Sequence, residues 1–273
     1  MQPPANPARG TDTQPPTNPA RGTGTVTREV DEAVTAAMVV IGDEILSGRT
    51  KDRNVGFVAE TMALVGIDLE EVRIVPDRQE AIVEAVNALR ARHTYVFTSG
   101  GIGPTHDDIT ADAVSAAFGR ECIYDPRAVD ILAKAYGARD IVFTDARKRM
   151  ARMPEGAELI ENSVSSAPGF RVENVFVMAG VPKIMQAMMD AVVPTLRKGR
   201  PMVAETVECA LPEGLLGQPL GEVQDAHPGT MIGSYPQWND GRFRTQIVVR
   251  GRERADVEKA LAAVREMVRE LGG

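Results

Sequence analysis

The chain has 273 residues, of which 43% are hydrophobic and 25% charged, and its formal net charge is −7. This length predicts one or two domains with ample material for a buried core, and no apolar run approaches the roughly 18 residues of a membrane span. The acidic balance argues against nucleic acid or an anionic membrane as the main partner. The only two cysteines, Cys122 and Cys209, show no metal-binding spacing, which is typical of a reduced, cytoplasmic protein.

The first segment, residues 1–28, contains two copies of a repeat rich in proline, glycine and threonine, Gln2–Thr13 and Gln14–Thr25. This composition offers nothing that could bury against a core. The segment is therefore predicted to be a disordered tail.

The first predicted strand, Ala36–Ile41, leads into a loop over residues 42–54 that carries Asp43, Glu44 and Asp52. Apolar residues at helical spacing predict a helix after this loop. Leu69–Val75 is predicted to be the next strand, and Arg78–Ala91 the next helix.

The most informative stretch is Ser99–Thr110, which reads S-G-G-I-G-P-T-H-D-D-I-T and follows a β-branched strand. Its glycines let the backbone approach a ligand closely, and a helix beginning near Asp107 would turn its amide groups toward an anion. Asp107 and Asp108 would repel that anion unless a divalent cation joined the two. The plain alternative is that one aspartate only caps the helix. We expect Asp107 to cap it and Asp108 to reach the metal.

The rest of the chain predicts a second small domain. A basic helical piece over Thr144–Met153, a turn at Asn162–Gly169 and a strand at Val172–Met178 complete the first domain, which we place at residues 35–199. Residues 200–273 follow the order βαββα. The arginines at 242, 244, 250, 252 and 254 are interpreted as a solvated surface; an RNA-binding face is the alternative.

Two of these stretches resemble a known family. Ser99–Thr110 resembles the signature of the molybdopterin-binding fold shared by MogA, MoaB and the amino-terminal half of CinA, and its Pro-Thr-x-Asp-Asp-x-Thr portion resembles the CinA branch. Gly42–Asn54 resembles Gly-Asp-Glu-Ile-Leu-x-Gly-x-x-x-Asp-Thr-Asn, with Arg53 in place of Thr. The resemblance implies a three-layer α/β domain with a mostly parallel sheet, followed by a small KH-like α+β domain. The deamidase domain of CinA is expected to have no counterpart here.

The strand-end loops predict where chemistry takes place. Open α/β sheets bind ligands at the carboxyl ends of their strands, so the loops after three strands should share one crevice. Such a site suits an anhydride between two phosphates, because its hydrolysis needs mainly positioning and charge stabilisation. The resemblance implies a nucleotide pyrophosphatase that uses Mg²⁺, Mn²⁺ or Co²⁺ on ADP-ribose-like dinucleotides. Two alternatives stay open: a molybdopterin-binding or adenylyl-transfer protein of molybdenum cofactor synthesis, and a noncatalytic regulatory binding module.

These interpretations assign roles to individual residues. Catalytic roles are expected for Asp108, Asp52 and Glu44, and metal binding for Asp107 and Asp108. Contacts to phosphate or ligand are expected from Ser99, Gly100, Gly101, Gly103, Thr105, Thr110, Asp43, Asn54, Gly180 and Lys183. A nucleotide or pterin is the expected ligand, and a homo-oligomer, a dimer or trimer, the expected assembly.

Overall fold

The structure is a computed structural model that describes residues 33–239 and 242–273. The predicted tail over residues 1–28 lies outside the described residues. The strands are β1 (Thr35–Ile41), β2 (Asp68–Val75), β3 (Tyr95–Ser99), β4 (Cys122–Tyr124), β5 (Arg152–Pro154), β6 (Glu158–Ile160), β7 (Gly169–Val172), β8 (Val175–Met178), β9 (Val203–Cys209), β10 (Thr230–Asn239) and β11 (Arg242–Gly251). The helices are α1 (Asp43–Leu46), α2 (Asn54–Leu64), α3 (Gln79–Arg90), α4 (Thr110–Ala117), α5 (Pro126–Gly137), α6 (Asp145–Lys148), α7 (Pro182–Val192), α8 (Glu213–Ala226) and α9 (Arg254–Glu270).

The main sheet has the order β2-β1-β3-β8-β7-β6. Its first four strands are parallel, and β7 and β6 extend it as an antiparallel edge. The chain passes from β1 to β2 on one side and then returns to β3 on the other side of β1. The strand order therefore reverses between β1 and β3, which is where α/β sheets open a crevice for ligands.

Both faces of β1 are buried, and this makes the domain three-layered. Alternate residues point to opposite faces of a strand: Ala37 and Val39 join one hydrophobic core, whereas Met38 and Val40 join the other. Helices α3 and α4 cover the first core, and α2 and α7 cover the second. The methionines of α7 are packed in that second core, as their helical spacing indicates. The predicted mostly parallel α/β fold is confirmed.

The last part of the chain forms a small α+β unit with its own core. Strands β10-β11-β9 make an antiparallel sheet, and the apolar faces of α8 and α9 pack on one side of it. The element order is the predicted βαββα. Two of the surface arginines make local ion pairs: Arg244 pairs with Glu208 at 3.2 Å and Arg252 with Asp68.

Candidate functional site

A cavity of about 600 Å³ opens at the carboxyl ends of β1, β2, β3 and β8. We call it the main cavity. It is lined by four carboxylates and by the backbone of four glycines: Glu44, Asp77, Asp107, Asp108, Gly100, Gly101, Gly103 and Gly180. The predicted convergence of the strand-end loops is thus present in the structure.

The turn after β3 requires glycine at two positions. Gly100 has φ +110° and Gly101 has φ +68°, a region that other residues rarely adopt. A Cβ on Gly100 would lie 2.2 Å from the carbonyl oxygen of Ile41. Thr110 fixes the turn, because its hydroxyl donates to the Gly100 carbonyl at 2.9 Å and its amide to the Gly101 carbonyl at 3.0 Å. Thr110 therefore shapes the loop from a buried position.

The helix after this turn begins at Thr110, later than predicted, and Asp107 does not cap it. The residues before it form a tight turn in which the Asp108 carboxylate accepts from the Thr105 amide at 2.8 Å and from the Thr105 hydroxyl at 2.6 Å. The capping role predicted for Asp107 is wrong. Asp107 instead presents an exposed carboxylate at the cavity.

Asn54 joins the ends of neighbouring strands. Its side-chain amide donates to the Ser99 hydroxyl at 2.7 Å and to the Gly180 carbonyl at 2.8 Å. Asn54 and Ser99 are both buried. Both hydrogens of the amide group are used in these two bonds, so the predicted ligand residues Asn54 and Ser99 hold the loops of the site together.

Asp77 belongs to the site although the sequence interpretation did not single it out. It follows β2, and its carboxylate accepts from the Asp43 amide at 2.8 Å. Burial is the largest influence that raises the pKa of Asp77, and the negative charges of Asp43, Glu44 and Asp107 raise it further, against the lowering effect of the Asp43 amide. The sequence does contain a signal for this residue, because Asp77 follows a parallel strand, as the predicted acids do.

The structure separates the other predicted residues into three groups. Glu44, Gly100, Gly101, Gly103, Asp107, Asp108 and Gly180 line the main cavity. A smaller cavity of about 60 Å³, which we call the side pocket, is lined by Asp52, Asn54 and Ser99 and shares Glu44 and Gly180 with the main cavity. The residues Asp43, Thr105, Thr110 and Lys183 line neither cavity. Lys183 is exposed on the first turn of α7.

Two segments that were not among the predicted site residues also contribute to the lining of the main cavity. Met150, Asn162 and Ser165 line it. Asn162 holds its own turn, since its side chain bonds Ser165 and the Ala167 carbonyl. Arg149 donates to the Asp108 carbonyl at 3.4 Å, so the basic segment predicted over Thr144–Met153 contacts the signature loop through the loop backbone.

Carboxylates are the type of ligand that a hard divalent cation prefers, but too few of them are grouped in the main cavity to complete its coordination shell. Among the residues that the structure describes, no three or more His, Cys, Asp or Glu side chains are grouped closely enough to hold a metal ion. Mg²⁺ commonly takes only one or two carboxylates and completes its shell with waters and substrate phosphate. The oxygen donors of Asp107 and Asp108 fit that pattern.

Comparisons with known proteins agree with this architecture. Residues 37–198 match the family model "Probable molybdopterin binding domain", and residues 201–271 match "FAD synthase, middle domain". A protein from Aeropyrum pernix is 36% identical over 261 residues, which cover 89% of this chain and 97% of that one. A "Probable FAD synthase" from Caenorhabditis briggsae is 28% identical over 258 residues, which cover 86% of this chain but 49% of that protein.

A solved structure supports the same assignment. The protein CinA from Thermoplasma acidophilum, titled as of unknown function, has 32% sequence identity and a TM-score of 0.55, and the match covers 60% of this chain and 98% of that one. Within the described part of the chain, no helix is long and apolar enough to cross a membrane. The family model spans more than half of the sequence, and the fold and signature agree with it. The chain therefore belongs to the CinA-type family of molybdopterin-binding domains.

Proposed function

We propose that this protein is a metal-dependent hydrolase of the phosphoanhydride bond in nucleotides such as ADP-ribose or FAD. The observation that carries the proposal is the main cavity, whose lining combines a glycine turn with four carboxylates. A phosphoanhydride needs close backbone donors for its oxygens, neutralisation of its charge and an oriented water, and it needs no covalent nucleophile. The likeness to a protein named as an FAD synthase supports an adenine dinucleotide as ligand, since FAD contains this anhydride.

The residues of the main cavity divide these tasks. The backbone at Gly101 and Gly103 would contact phosphate oxygens. Asp107 and Asp108 would hold the divalent cation, which supplies positive charge beside the phosphate when it is bound. Asp108 also keeps the loop in shape through its contacts with Thr105.

Asp77 is a better candidate than Asp52 to accept a proton from the attacking water. The raised pKa of Asp77 makes its carboxylate a stronger base than an ordinary aspartate. Asp52 lines only the side pocket, where its carboxylate accepts from the Val55 amide at 2.9 Å. Glu44 lines both cavities and keeps the role of orienting water.

The second candidate function is binding or adenylylation of molybdopterin. It is favoured by the family model that matches residues 37–198. Adenylyl transfer would use the same glycine turn and metal but would form an anhydride instead of breaking one. The two functions therefore differ in the organic group that the cavity walls accept, and a substrate screen separates them.

The test is a screen of the full chain with ADP-ribose, FAD, CoA and NAD in the presence of Mg²⁺, Mn²⁺ or Co²⁺, with nucleotide products separated by chromatography. We expect Asp107→Asn to lower hydrolysis by about 10²-fold or more, as when one preorganised electrostatic group is lost. Asp108→Asn should act similarly, because Asn keeps an oxygen for the Thr105 bonds but removes the charge. Asp190→Asn, on the exposed face of α7, is the matched control and should keep full activity.

The outcomes separate the hypotheses. Full turnover in both Asp107→Asn and Asp108→Asn would show that hydrolysis occurs elsewhere. Absence of hydrolysis with every substrate, together with binding of molybdopterin that Asp107→Asn weakens, would favour the second candidate. Melting temperatures of all variants check that the comparison concerns folded protein.

A further inference from the structure

The side pocket carries the positive charge that the main cavity lacks. No Lys, Arg or His belongs to the lining of the main cavity among residues 33–239 and 242–273. The side pocket, in contrast, is lined by Lys51 and Arg53, beside the carboxylates Glu44 and Asp52. The two cavities share Glu44, Thr50 and Gly180, so one ligand can reach both.

Lys51 and Arg53 have no protein partner in the described part of the chain: no hydrogen bond or ion pair involves either side chain. Several arginines of the α/β domain are, in contrast, paired with acids. Arg73 contacts Glu71 at 2.8 Å, and Arg127 contacts Asp125 at 2.7 Å. The acid beside them, Asp52, already accepts from the Val55 amide. The two cations are therefore free for a ligand.

The backbone around the side pocket is fixed in a way that suits an anion. The Thr50 amide donates to the Glu44 carbonyl at 2.9 Å and closes the loop that carries Lys51. Helix α2 begins at Asn54, so the positive end of its dipole lies beside Arg53. A volume of about 60 Å³ is roughly that of two water molecules in the liquid, enough for one small anionic group.

We propose that the side pocket binds a second phosphate group of the ligand through Lys51 and Arg53, while the first phosphate lies against the glycine turn of the main cavity. The inference rests on the proposed function of the same site and deepens it: the ligand carries two linked phosphates, one neutralised at the carboxylates and the other by protein cations. Arg53 stands where the motif that this loop resembles has Thr, so the positive charge at this position distinguishes the chain from that motif.

The probe is inorganic pyrophosphate, which carries two linked phosphates and no organic group. Its binding to the full chain is measured by titration calorimetry with Mg²⁺ present, in wild type and in Lys51→Gln, Arg53→Gln and Arg53→Lys. Each Gln variant removes the charged partner of a hydrogen bond to the ligand, and this loss should weaken the binding of pyrophosphate by about tenfold. Arg53→Lys keeps the charge and should lose less than Arg53→Gln.

Arg49→Gln is the matched control, because Arg49 is an exposed cation of the same loop that lines neither cavity. It should bind pyrophosphate as wild type does. The inference is overturned if Lys51→Gln and Arg53→Gln bind as tightly as Arg49→Gln, or if wild type fails to bind pyrophosphate at millimolar concentration. Because the assay measures binding, it separates this inference from the proposed hydrolysis. Retained hydrolysis of ADP-ribose with unchanged binding in both Gln variants would refute the inference alone, whereas Arg53-dependent binding without hydrolysis would refute only the catalytic proposal.

Discussion

Replacing Asn54 by alanine tests whether the three loops of the site are held together from inside the protein. The substitution removes two hydrogen bonds, to the Ser99 hydroxyl at 2.7 Å and to the Gly180 carbonyl at 2.8 Å. Ser99 is buried, so its hydroxyl loses its partner without access to water, at a cost of about 1–3 kcal/mol. Gly180 is exposed, so water replaces part of its bond and the loss there is about 0.5–1.5 kcal/mol. The free energy of unfolding should therefore fall by about 1.5–4.5 kcal/mol in total.

Urea denaturation of wild type and Asn54→Ala measures this difference, provided that the slope of the transition is unchanged. Asn87→Ala is the control, since Asn87 is a half-buried asparagine of α3 whose side-chain oxygen accepts one hydrogen bond, from Arg90 at 2.9 Å. This substitution should cost less than about 0.5 kcal/mol. If Asn54→Ala costs no more than Asn87→Ala, the strand ends are held together by packing alone. In that case the assignment of Asn54 to the scaffold is wrong, and its amide becomes available to a ligand.

Two further predictions concern the same edge of the sheet. Gly100→Ala should destabilise the protein by about 2–5 kcal/mol in denaturation experiments, because the new Cβ adds backbone strain and a close contact with the Ile41 carbonyl. Gly56→Ala is the comparison: this glycine of α2 has open space around it, and the substitution should stabilise the protein by about 0.5–1 kcal/mol. Asp77→Asn should be more stable than wild type at pH 7, because the folded-state pKa of Asp77 is raised. The contribution of Asp77 to the free energy of unfolding is therefore fully present below its unfolded pKa of about 3.9 and is lost as the pH rises through the folded pKa. An advantage of Asp77→Asn that does not shrink between pH 7 and pH 4 would contradict that sign.

The sequence predicted the parts of the fold that depend on local pattern. The run Ala36–Ile41 is apolar at every position, and a strand buried on both faces needs that composition. Because parallel strands end at a common edge, the acids after β1 and β3 could be assigned to one crevice before their distance was known. The same argument applies to Asp77, which follows β2. It was not singled out because it lies next to a single proline and outside any glycine-rich motif.

The roles of individual site residues depend on where side chains point. Asn54 and Ser99 are polar residues in motif positions, and a sequence does not show whether such a side chain faces a ligand or a neighbouring loop. The start of α4 was misplaced for a related reason. Asp107 and Asp108 are both good capping residues, but Thr105 competes for Asp108 within the preceding turn, and this competition is visible only in three dimensions.

The distribution of ion pairs is consistent with the proposed binding of a metal ion and phosphate in the main cavity. The chain has 31 Lys and Arg residues, and several pair with acids in the α/β domain, as Arg152 does with Asp112. In the described residues, no Lys or Arg pairs with Glu44, Asp77 or Asp107, and the imidazole of His106 lies 4.0 Å from the Asp107 carboxylate. Burial raises the pKa of Asp77, and the negative charges of Asp43, Glu44 and Asp107 raise it further. Unpaired like charges disfavour the folded state, so a cluster with a purely structural role would gain stability from one arginine. Leaving these acids free is useful when the positive charge arrives with the ligand, as a divalent cation bound to phosphate does.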